Sequence, residues 1–228
     1  MAVGTLGLVG GAEWNEDCSF DAYLLERSGS KVVTVLPTAA AYEKPDLAVA
    51  HATQWFAVLG ATVRTAMVIT RSDAEDPRFA QQLADSPFIY LGGGSPMHLF
   101  SVLKDSRCYL AIVSAFRNGA VLAGSSAGAM VLGDPMVDPR GGGLTLGLGL
   151  VKDLAVMPHY SATSADIKHR TQTLAEPKVV IAGIDEQTSL IRESDGMWRA
   201  MGSGLIHLMS NGTKIELSAL AEAVELGI

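Results

Sequence analysis

Short apolar runs alternate with segments of helical periodicity along most of this chain. The runs are continuously hydrophobic and do not alternate with polar residues, which is typical of strands buried on both faces. Seven such runs are predicted as strands. They are Gly4–Val9, Lys31–Pro37, Thr62–Ile69, Phe88–Leu91, Ala120–Ala123, Leu154–Met157 and Val179–Ile184.

Helical periodicity lies between most of these strands, for example over Asp46–Leu59, Arg78–Leu83 and Ser164–Leu174. Strands that alternate with amphipathic helices predict an α/β fold, in which a doubly wound, mostly parallel sheet has helices on both faces. In the first of these helices the spacing predicts one apolar stripe facing the core. The stripe consists of Leu47, Ala50, Trp55, Val58 and Leu59.

The pattern changes to short strands from about Ser189. Met197–Met201, Leu205–Met209 and Lys214–Leu217 fit this pattern, and Asn211-Gly212 between the last two is a strong hairpin signal. We therefore expect one domain over residues 1–228, with an α/β core over about 1–190. A β appendage with a C-terminal antiparallel hairpin is expected over about 191–228.

Composition narrows the class of protein. Hydrophobic residues make up 48% of the 228 residues and charged residues 18%, enough apolar material for a large core. The formal net charge is −7 and no three Lys or Arg residues are consecutive, which argues against nucleic-acid binding. No apolar stretch approaches the ~20 residues that span a bilayer, and the N-terminus lacks a cationic leader. We expect a cytoplasmic protein without metal or organic cofactor, because neither Cys18 nor Cys108 has zinc-like spacing.

A serine between two glycines carries the clearest chemical signal. Ser126 lies within Gly124-Ser125-Ser126-Ala127-Gly128, directly after an apolar strand and before helix-forming residues. In this strand–turn–helix context, G-x-S-x-G forms a nucleophile elbow, a tight turn that raises the hydroxyl above the sheet edge. The alternative is a glycine-rich turn in which Ser126 only caps the following helix.

A base and an acid are predicted at the ends of two later strands. His159 follows Leu154–Met157 through Pro158, and Asp185 and Glu186 follow Val179–Ile184. Catalytic groups of open α/β sheets gather at the carboxyl ends of strands. Adjacent carboxylates point in opposite directions, so at most one faces His159. Turn residues bonded to backbone are the alternative for both positions.

Glycines at two strand ends could place backbone close to a ligand. Gly92-Gly93-Gly94 follows Phe88–Leu91, and its free N–H groups would bind an anion or a developing oxyanion. A phosphate cradle is the competing interpretation, but no Lys-Ser/Thr follows as in a P-loop. The N-terminal glycines, up to Gly10 and Gly11, miss the dinucleotide-binding spacing.

With these blocks the chain resembles the peptidase E (α-aspartyl dipeptidase) and cyanophycinase family of serine peptidases over roughly residues 30–190. The resemblance implies a class I glutamine amidotransferase-like, flavodoxin-like fold and a Ser126–His159–Glu186 triad. It also implies an oxyanion hole at the N–H of Ala127 and of Gly93 or Gly94. The blocks are Leu91-Gly92-Gly93-Gly94, Gly124-Ser125-Ser126-Ala127-Gly128-Ala129, Met157-Pro158-His159-Tyr160 and Gly183-Ile184-Asp185-Glu186.

The order of these residues separates two classes of hydrolase. Serine, histidine and then acid is the order of the resembled family, whereas an α/β-hydrolase has serine, acid and then histidine. The second order would require Ser126, then Asp185 or Asp195, then His207, a residue of the late hairpin region.

The function implied is a serine peptidase of short peptides, a dipeptidase or exopeptidase acting at aspartyl residues. Cyanophycinase-like hydrolysis of β-aspartyl peptides, a small-acyl esterase and a non-catalytic binding domain are the alternatives. An acidic substrate would require a cation in the site, and a homodimer is plausible for the family. Candidate substrate-binding residues are Ser95, Arg140, Tyr160, Lys168, Arg170 and Asp185.

Overall fold

The computed structural model describes residues 3–228, and Met1 and Ala2 lie outside the described residues. Helices and strands alternate through the first half, which confirms the α/β class. The strands are β1 (Leu6–Val9), β2 (Val32–Leu36), β3 (Thr62–Thr65), β4 (Phe88–Leu91), β5 (Val121–Ser125), β6 (Gly133–Asp134), β7 (Met136–Val137), β8 (Leu144–Thr145), β9 (Val151–Lys152), β10 (Leu154–Met157), β11 (Val180–Ile184), β12 (Thr188–Arg192), β13 (Trp198–Gly202), β14 (Ile206–Ser210), β15 (Thr213–Lys214) and β16 (Glu225–Leu226).

The α-helices of the described residues cover both faces of the first sheet. Of these helices, none combines the length and hydrophobicity needed to span a bilayer. Short 3-10 turns occur at Thr38–Ala40, Tyr160–Ala162 and Leu217–Ala219. The α-helices are α1 (Ser19–Ser28), α2 (Pro45–Val58), α3 (Arg71–Ala74), α4 (Pro77–Ala84), α5 (Pro96–Leu103), α6 (Arg107–Arg117), α7 (Ala127–Leu132), α8 (Ala165–Leu174) and α9 (Leu220–Ala223).

The first sheet has the strand order β13-β12-β1-β5-β4-β2-β3. Strands β1 to β5 run parallel to their neighbours, whereas β12 and β13 add an antiparallel edge beside β1. Strand β5 lies between β1 and β4, with Ser125 opposite Val9 and Gly124 opposite Leu91. The loops that follow these three strands therefore meet at one edge of the sheet.

A second sheet, which the sequence did not indicate, has the order β15-β14-β11-β10-β6-β9-β16. Continuous hydrophobicity identified β10 and β11 as buried strands, but it carries no information about which sheet they join. The two strands are parallel and in register, with Met157 opposite Gly183. The predicted hairpin is confirmed: β14 and β15 pair across Asn211 and Gly212, whose φ angles are 48° and 71°.

Helix α7 lies between the two sheets and is buried along its whole length. It packs against β1, β4 and β5 of the first sheet and against β6 and β10 of the second. Because Ser126 immediately precedes α7, the serine turn is held between the two sheets. Helices α1 and α2 cover the opposite face of the first sheet, through Phe20, Leu24, Ala52 and Phe56.

One local prediction was wrong and one pair of strands was not predicted. The stripe predicted on α2 is not the buried face, because Leu47 and Val58 are 60% and 77% exposed. Ala52 and Phe56, at i, i+4 spacing, occupy the core side instead. The segment Pro135–Gly149, which was not among the predicted strands, contains the short antiparallel pair β7–β8 with Met136 and Val137 buried.

Candidate active site

The turn at Ser126 has the geometry expected of a nucleophile elbow. Ser126 has φ 49° and ψ −108°, a combination that residues with a side chain rarely adopt. Added Cβ atoms at Gly124 and Gly128 would lie 2.5 Å from the Gly128 carbonyl and 2.3 Å from the Leu91 oxygen, so both positions require glycine. The Ser126 side chain makes no capping hydrogen bond to α7, which contradicts the alternative of a helix cap.

His159 lies beside this serine although its strand belongs to the other sheet. The imidazole Nε2 is 2.9 Å from Ser126 Oγ. The backbone N–H of His159 donates to the Gly10 oxygen at 2.8 Å, which ties the loop after β10 to the loop after β1. Gly11 has φ +117°, and a Cβ there would lie 2.2 Å from His159 Cε1. The ring therefore occupies space that only a glycine at position 11 leaves free.

The two adjacent carboxylates diverge, as their spacing predicts. Glu186 Oε1 is 2.7 Å from His159 Nδ1. Asp185 instead accepts hydrogen bonds from the N–H and hydroxyl of Ser161 and from the N–H of Leu205. Burial alone would raise the pKa of Asp185, but these hydrogen bonds outweigh it and lower the pKa. Asp185 thus holds the turn that follows His159.

The late histidine offered by the α/β-hydrolase order is not near the serine hydroxyl. The His207 ring stacks on the Tyr160 ring, with centroids 4.7 Å apart, and His159 takes the position beside Ser126. The geometry therefore favours the order serine, histidine, acid.

Backbone donors surround the space above Ser126. The N–H groups of Ala127 and Gly94 donate to no other group among residues 3–228, whereas the Gly93 N–H donates to Glu13 Oε1 at 3.3 Å. Gly94 has φ +132°, and a Cβ there would lie 2.3 Å from the Ala39 oxygen. Of the three predicted donors, Gly94 and Ala127 are open to a developing oxyanion.

Glu13 is a residue of the site that sequence reasoning missed. Its Oε2 accepts from the buried Ser125 hydroxyl at 2.7 Å, while Oε1 accepts from Gly93. One carboxylate therefore joins the loops after β1 and β4 to the last residue of β5. The signal that could have identified Glu13 is its position in the loop after an apolar strand, the same kind of position that His159 and Glu186 occupy.

A cleft of about 230 Å³ opens beside these groups. Gly94, Ser126 and His159 form one end of it. Among residues 3–228, no group of three or more His, Cys, Asp or Glu side chains is arranged to hold a metal ion. The Ser126 hydroxyl, the His159 imidazole and Gly94 line the cleft, and the N–H of Ala127 follows directly after Ser126.

Comparison with known protein families identifies a family for this chain. The model of Peptidase family S51 matches residues 6–199, most of the chain. The chain belongs to peptidase family S51. The match includes the serine turn, His159, Glu186 and the glycine triplet.

Cyanophycinases are among the relatives of this S51 chain. It is 28% identical to the cyanophycinase of Synechococcus elongatus over 153 residues, 63% of this chain and 48% of that protein. It is 28% identical to the cyanophycinase of Trichormus variabilis over 188 residues, 78% of this chain and 62% of that protein. The chain thus spans about half to three fifths of the length of these curated relatives.

Solved structures match over more of their length. A peptidase from an acI-B1 Actinobacterium is 28% identical with a TM-score of 0.82, over 94% of this chain and 97% of that one. A candidate peptidase E of Listeria monocytogenes EGD-e, 19% identical with a TM-score of 0.58, covers 92% and 99% and shares the fold.

The candidate substrate-binding residues of this S51 chain are dispersed. Ser95 caps α5 by accepting from the His98 N–H at 3.3 Å. Arg140 is paired with Asp138 and its side chain is 77% exposed. The Lys168 ammonium lies 4.2 Å from the centre of the Tyr160 ring, and Arg170 is exposed on α8. The cleft lining contains none of these side chains.

Proposed function

We propose that this protein is a serine peptidase that hydrolyses short peptides. The observation that carries the proposal is the hydrogen-bonded line from Ser126 Oγ to His159 Nε2 and from His159 Nδ1 to Glu186, at 2.9 Å and 2.7 Å. A hydroxyl, an imidazole and a carboxylate in this order activate a weak nucleophile. Membership of family S51 and the likeness to a peptidase of known structure support the same chemistry.

In the proposed reaction, Ser126 Oγ attacks the scissile carbonyl carbon while His159 Nε2 takes the hydroxyl proton. Glu186 fixes the tautomer of the imidazole and stabilises the positive charge that forms on it. The N–H groups of Ala127 and Gly94 donate to the oxyanion, and loss of one such donor typically lowers the rate about 10²- to 10³-fold. His159 then protonates the leaving amine, and water hydrolyses the acyl-enzyme.

The narrower prediction, a dipeptidase acting at aspartyl residues, requires a cation opposite the acidic side chain. Arg140 is paired with Asp138, and Arg170 lies outside the cleft. We therefore keep this activity, and the β-aspartyl hydrolysis that the resemblance to cyanophycinases implies, as alternatives, each to be assayed with its own dipeptide. A homodimer and a cytoplasmic location also stay predictions.

The proposal is tested by reacting the protein with a fluorophosphonate and mapping the modified peptide by mass spectrometry. We expect modification at Ser126 and turnover of short peptides, both lost in Ser126→Ala. Ser203→Ala, which removes an exposed serine, is the matched control. An unmodified wild-type protein would favour a binding domain, and turnover of esters but not of peptides would favour an esterase.

A further inference from the structure

We propose that the cleft beside Ser126 binds an uncharged, apolar side chain of the peptide substrate. This inference rests on the proposed peptidase function and adds the class of substrate. The cleft, about 230 Å³, is smaller than the roughly 300–1,000 Å³ of sites for drug-sized ligands, so one side chain is a suitable occupant. Its apolar walls are Pro96, Met130, Val137, Met157, Pro158 and Ile167.

These walls come from several elements and lie directly beside the reacting groups. Val137 comes from the β7–β8 pair, Met157 from the end of β10 and Ile167 from α8. Met130 follows Ser126 by four residues, so it lies on the same face of α7 as the serine, one helical turn further along the chain. A substrate carbonyl held at Ser126 would therefore place a neighbouring side chain against apolar surface.

Over residues 3–228, the lining of the cleft offers no Lys or Arg to pair with an acidic occupant. Among the described residues that line it, Asp138 carries the one carboxylate and no Lys or Arg is present. Both Asp138 oxygens accept hydrogen bonds from Arg140, whose backbone N–H, Nε and Nη2 lie at 2.9, 3.0 and 2.7 Å. These bonds hold the pKa of Asp138 at about 2, so it stays ionised at neutral pH.

A substrate aspartate in this cleft would lose water without gaining a cation. Removing an unpaired carboxylate from water against apolar walls is costly. Arg140 is paired with Asp138, is 77% exposed and does not line the cleft. A leucine or methionine side chain gains from the same walls, and discrimination of about 10- to 200-fold per methylene is the usual scale for such a pocket.

The test uses two dipeptide series, X-Ala and Ala-X, in which X is Leu, Met, Ala, Asp or Lys. Two measurements are made with wild-type protein: kcat/KM for hydrolysis, and protection of Ser126 against the fluorophosphonate. In one of the series, we expect Leu and Met to exceed Ala at least tenfold, and Asp to fall below Ala. Protection reports binding even for a dipeptide that is not cleaved.

A variant pair tests the same walls directly. Ile167→Arg places a cation in the cleft and should raise the Asp-to-Leu ratio at least tenfold, while Leu146→Arg, at a 66% exposed residue, should leave the ratio unchanged. If Ile167→Arg fails to fold, Ile167→Ala should lower the preference for Leu over Ala.

Two outcomes overturn the inference: Asp equal to or better than Leu in both series, or no protection by any dipeptide. These outcomes are distinct from failure of the proposed function, which would appear as no modification of Ser126 in the wild-type protein.

Discussion

Individual residues around Ser126 are constrained by how little space the neighbouring backbone and rings leave. Gly124 and Gly128 face backbone atoms of their own turn and of β4, and their role was predictable from G-x-S-x-G. Gly11 faces the ring of His159, which is far away in sequence. Nothing local to Gly11 reveals that requirement, because it arises only when the two sheets come together.

Gly11→Ala should impair the site more than the fold. The new Cβ would displace the His159 ring, and a misplacement of about 1 Å can cost about 10²-fold in rate. We expect fluorophosphonate modification of Ser126 to slow by about that factor. Gly29→Ala is the control, because Gly29 also has a positive φ (61°) but open space around it. Similar modification rates in the two variants would contradict this account.

Glu186→Gln should cause a moderate loss of activity. The side chain of Glu186 is 53% exposed, so solvent and salt screen its attraction for the imidazolium. We expect kcat to fall about 10- to 100-fold, less than the about 10⁴-fold known for a buried triad carboxylate. Steady-state kinetics at low and high salt measure this, with the exposed Glu222→Gln as control. An unchanged kcat would remove Glu186 from the proposed triad.

The bounds of a strand could be predicted where they depend on the local hydrophobic pattern. They were predicted less well where they depend on pairing with another strand. Strands β4 and β10 match their predicted bounds, and the Asn211-Gly212 hairpin is present as expected. The predicted strand Thr62–Ile69 ends at Thr65, where its pairing with Val35 of β2 ends. The division into two sheets could not be read from periodicity, because both sheets bury continuous apolar strands.

The residues of the candidate site could be predicted from their positions at the carboxyl ends of strands, with the exception of Glu13. Ser126, His159 and Glu186 come together across two sheets, although the prediction assumed one sheet edge. Glu13 was missed because its partners, Ser125 at the end of β5 and Gly93 in the loop after β4, are distant in sequence. Cleft specificity also lay beyond the sequence, since its walls combine side chains of separate elements.

Glu13→Gln should weaken the connection between the loops after β1 and β4 and the end of β5. A glutamine has one acceptor oxygen, so if it accepts from the Gly93 N–H its amide nitrogen must donate to a Ser125 hydroxyl that now accepts, and both hydrogen bonds lose the strengthening charge of the carboxylate. We expect kcat to fall while KM and the melting temperature change little. The control is Glu16→Gln, an exposed residue of the same loop. A variant with normal kcat would show that the bridge is dispensable.

The whole molecule carries a buried acid under the first sheet that affects how stability depends on pH. Asp21 is fully buried on α1, where Oδ2 accepts from Trp55 Nε1 at 2.9 Å. Burial raises its pKa from 3.8 to about 8. Since the folded state keeps the proton longer than the unfolded chain does, the stabilisation is complete below pH 4. It is lost as the pH rises to about 8.

Asp21→Asn should remove this dependence. Between pH 4 and 8, the wild-type free energy of unfolding should decline relative to that of the variant by up to about 1.4 kcal/mol per pH unit. Urea unfolding at pH 5, 6, 7 and 8 measures the difference, with Asp46→Asn at the exposed start of α2 as control. Parallel curves for wild type and Asp21→Asn would mean that Asp21 is ionised in the folded protein.

The backbone angles of Ser126 have a consequence for which substitution inactive members of the family would acquire at this position. A side chain at φ 49° and ψ −108° costs about 1–3 kcal/mol of backbone strain, which a glycine would relieve. Glycine is also more flexible in the unfolded chain, and this lowers the stability of the folded state by about 0.5–1 kcal/mol. The relief of strain is the larger of the two effects. Ser126→Gly should therefore melt above wild type, while Ser126→Ala, which keeps its Cβ, should not. Where selection for this reaction is lost, Ser126→Gly would abolish the activity and raise the melting temperature together. Inactive descendants should therefore carry glycine at position 126.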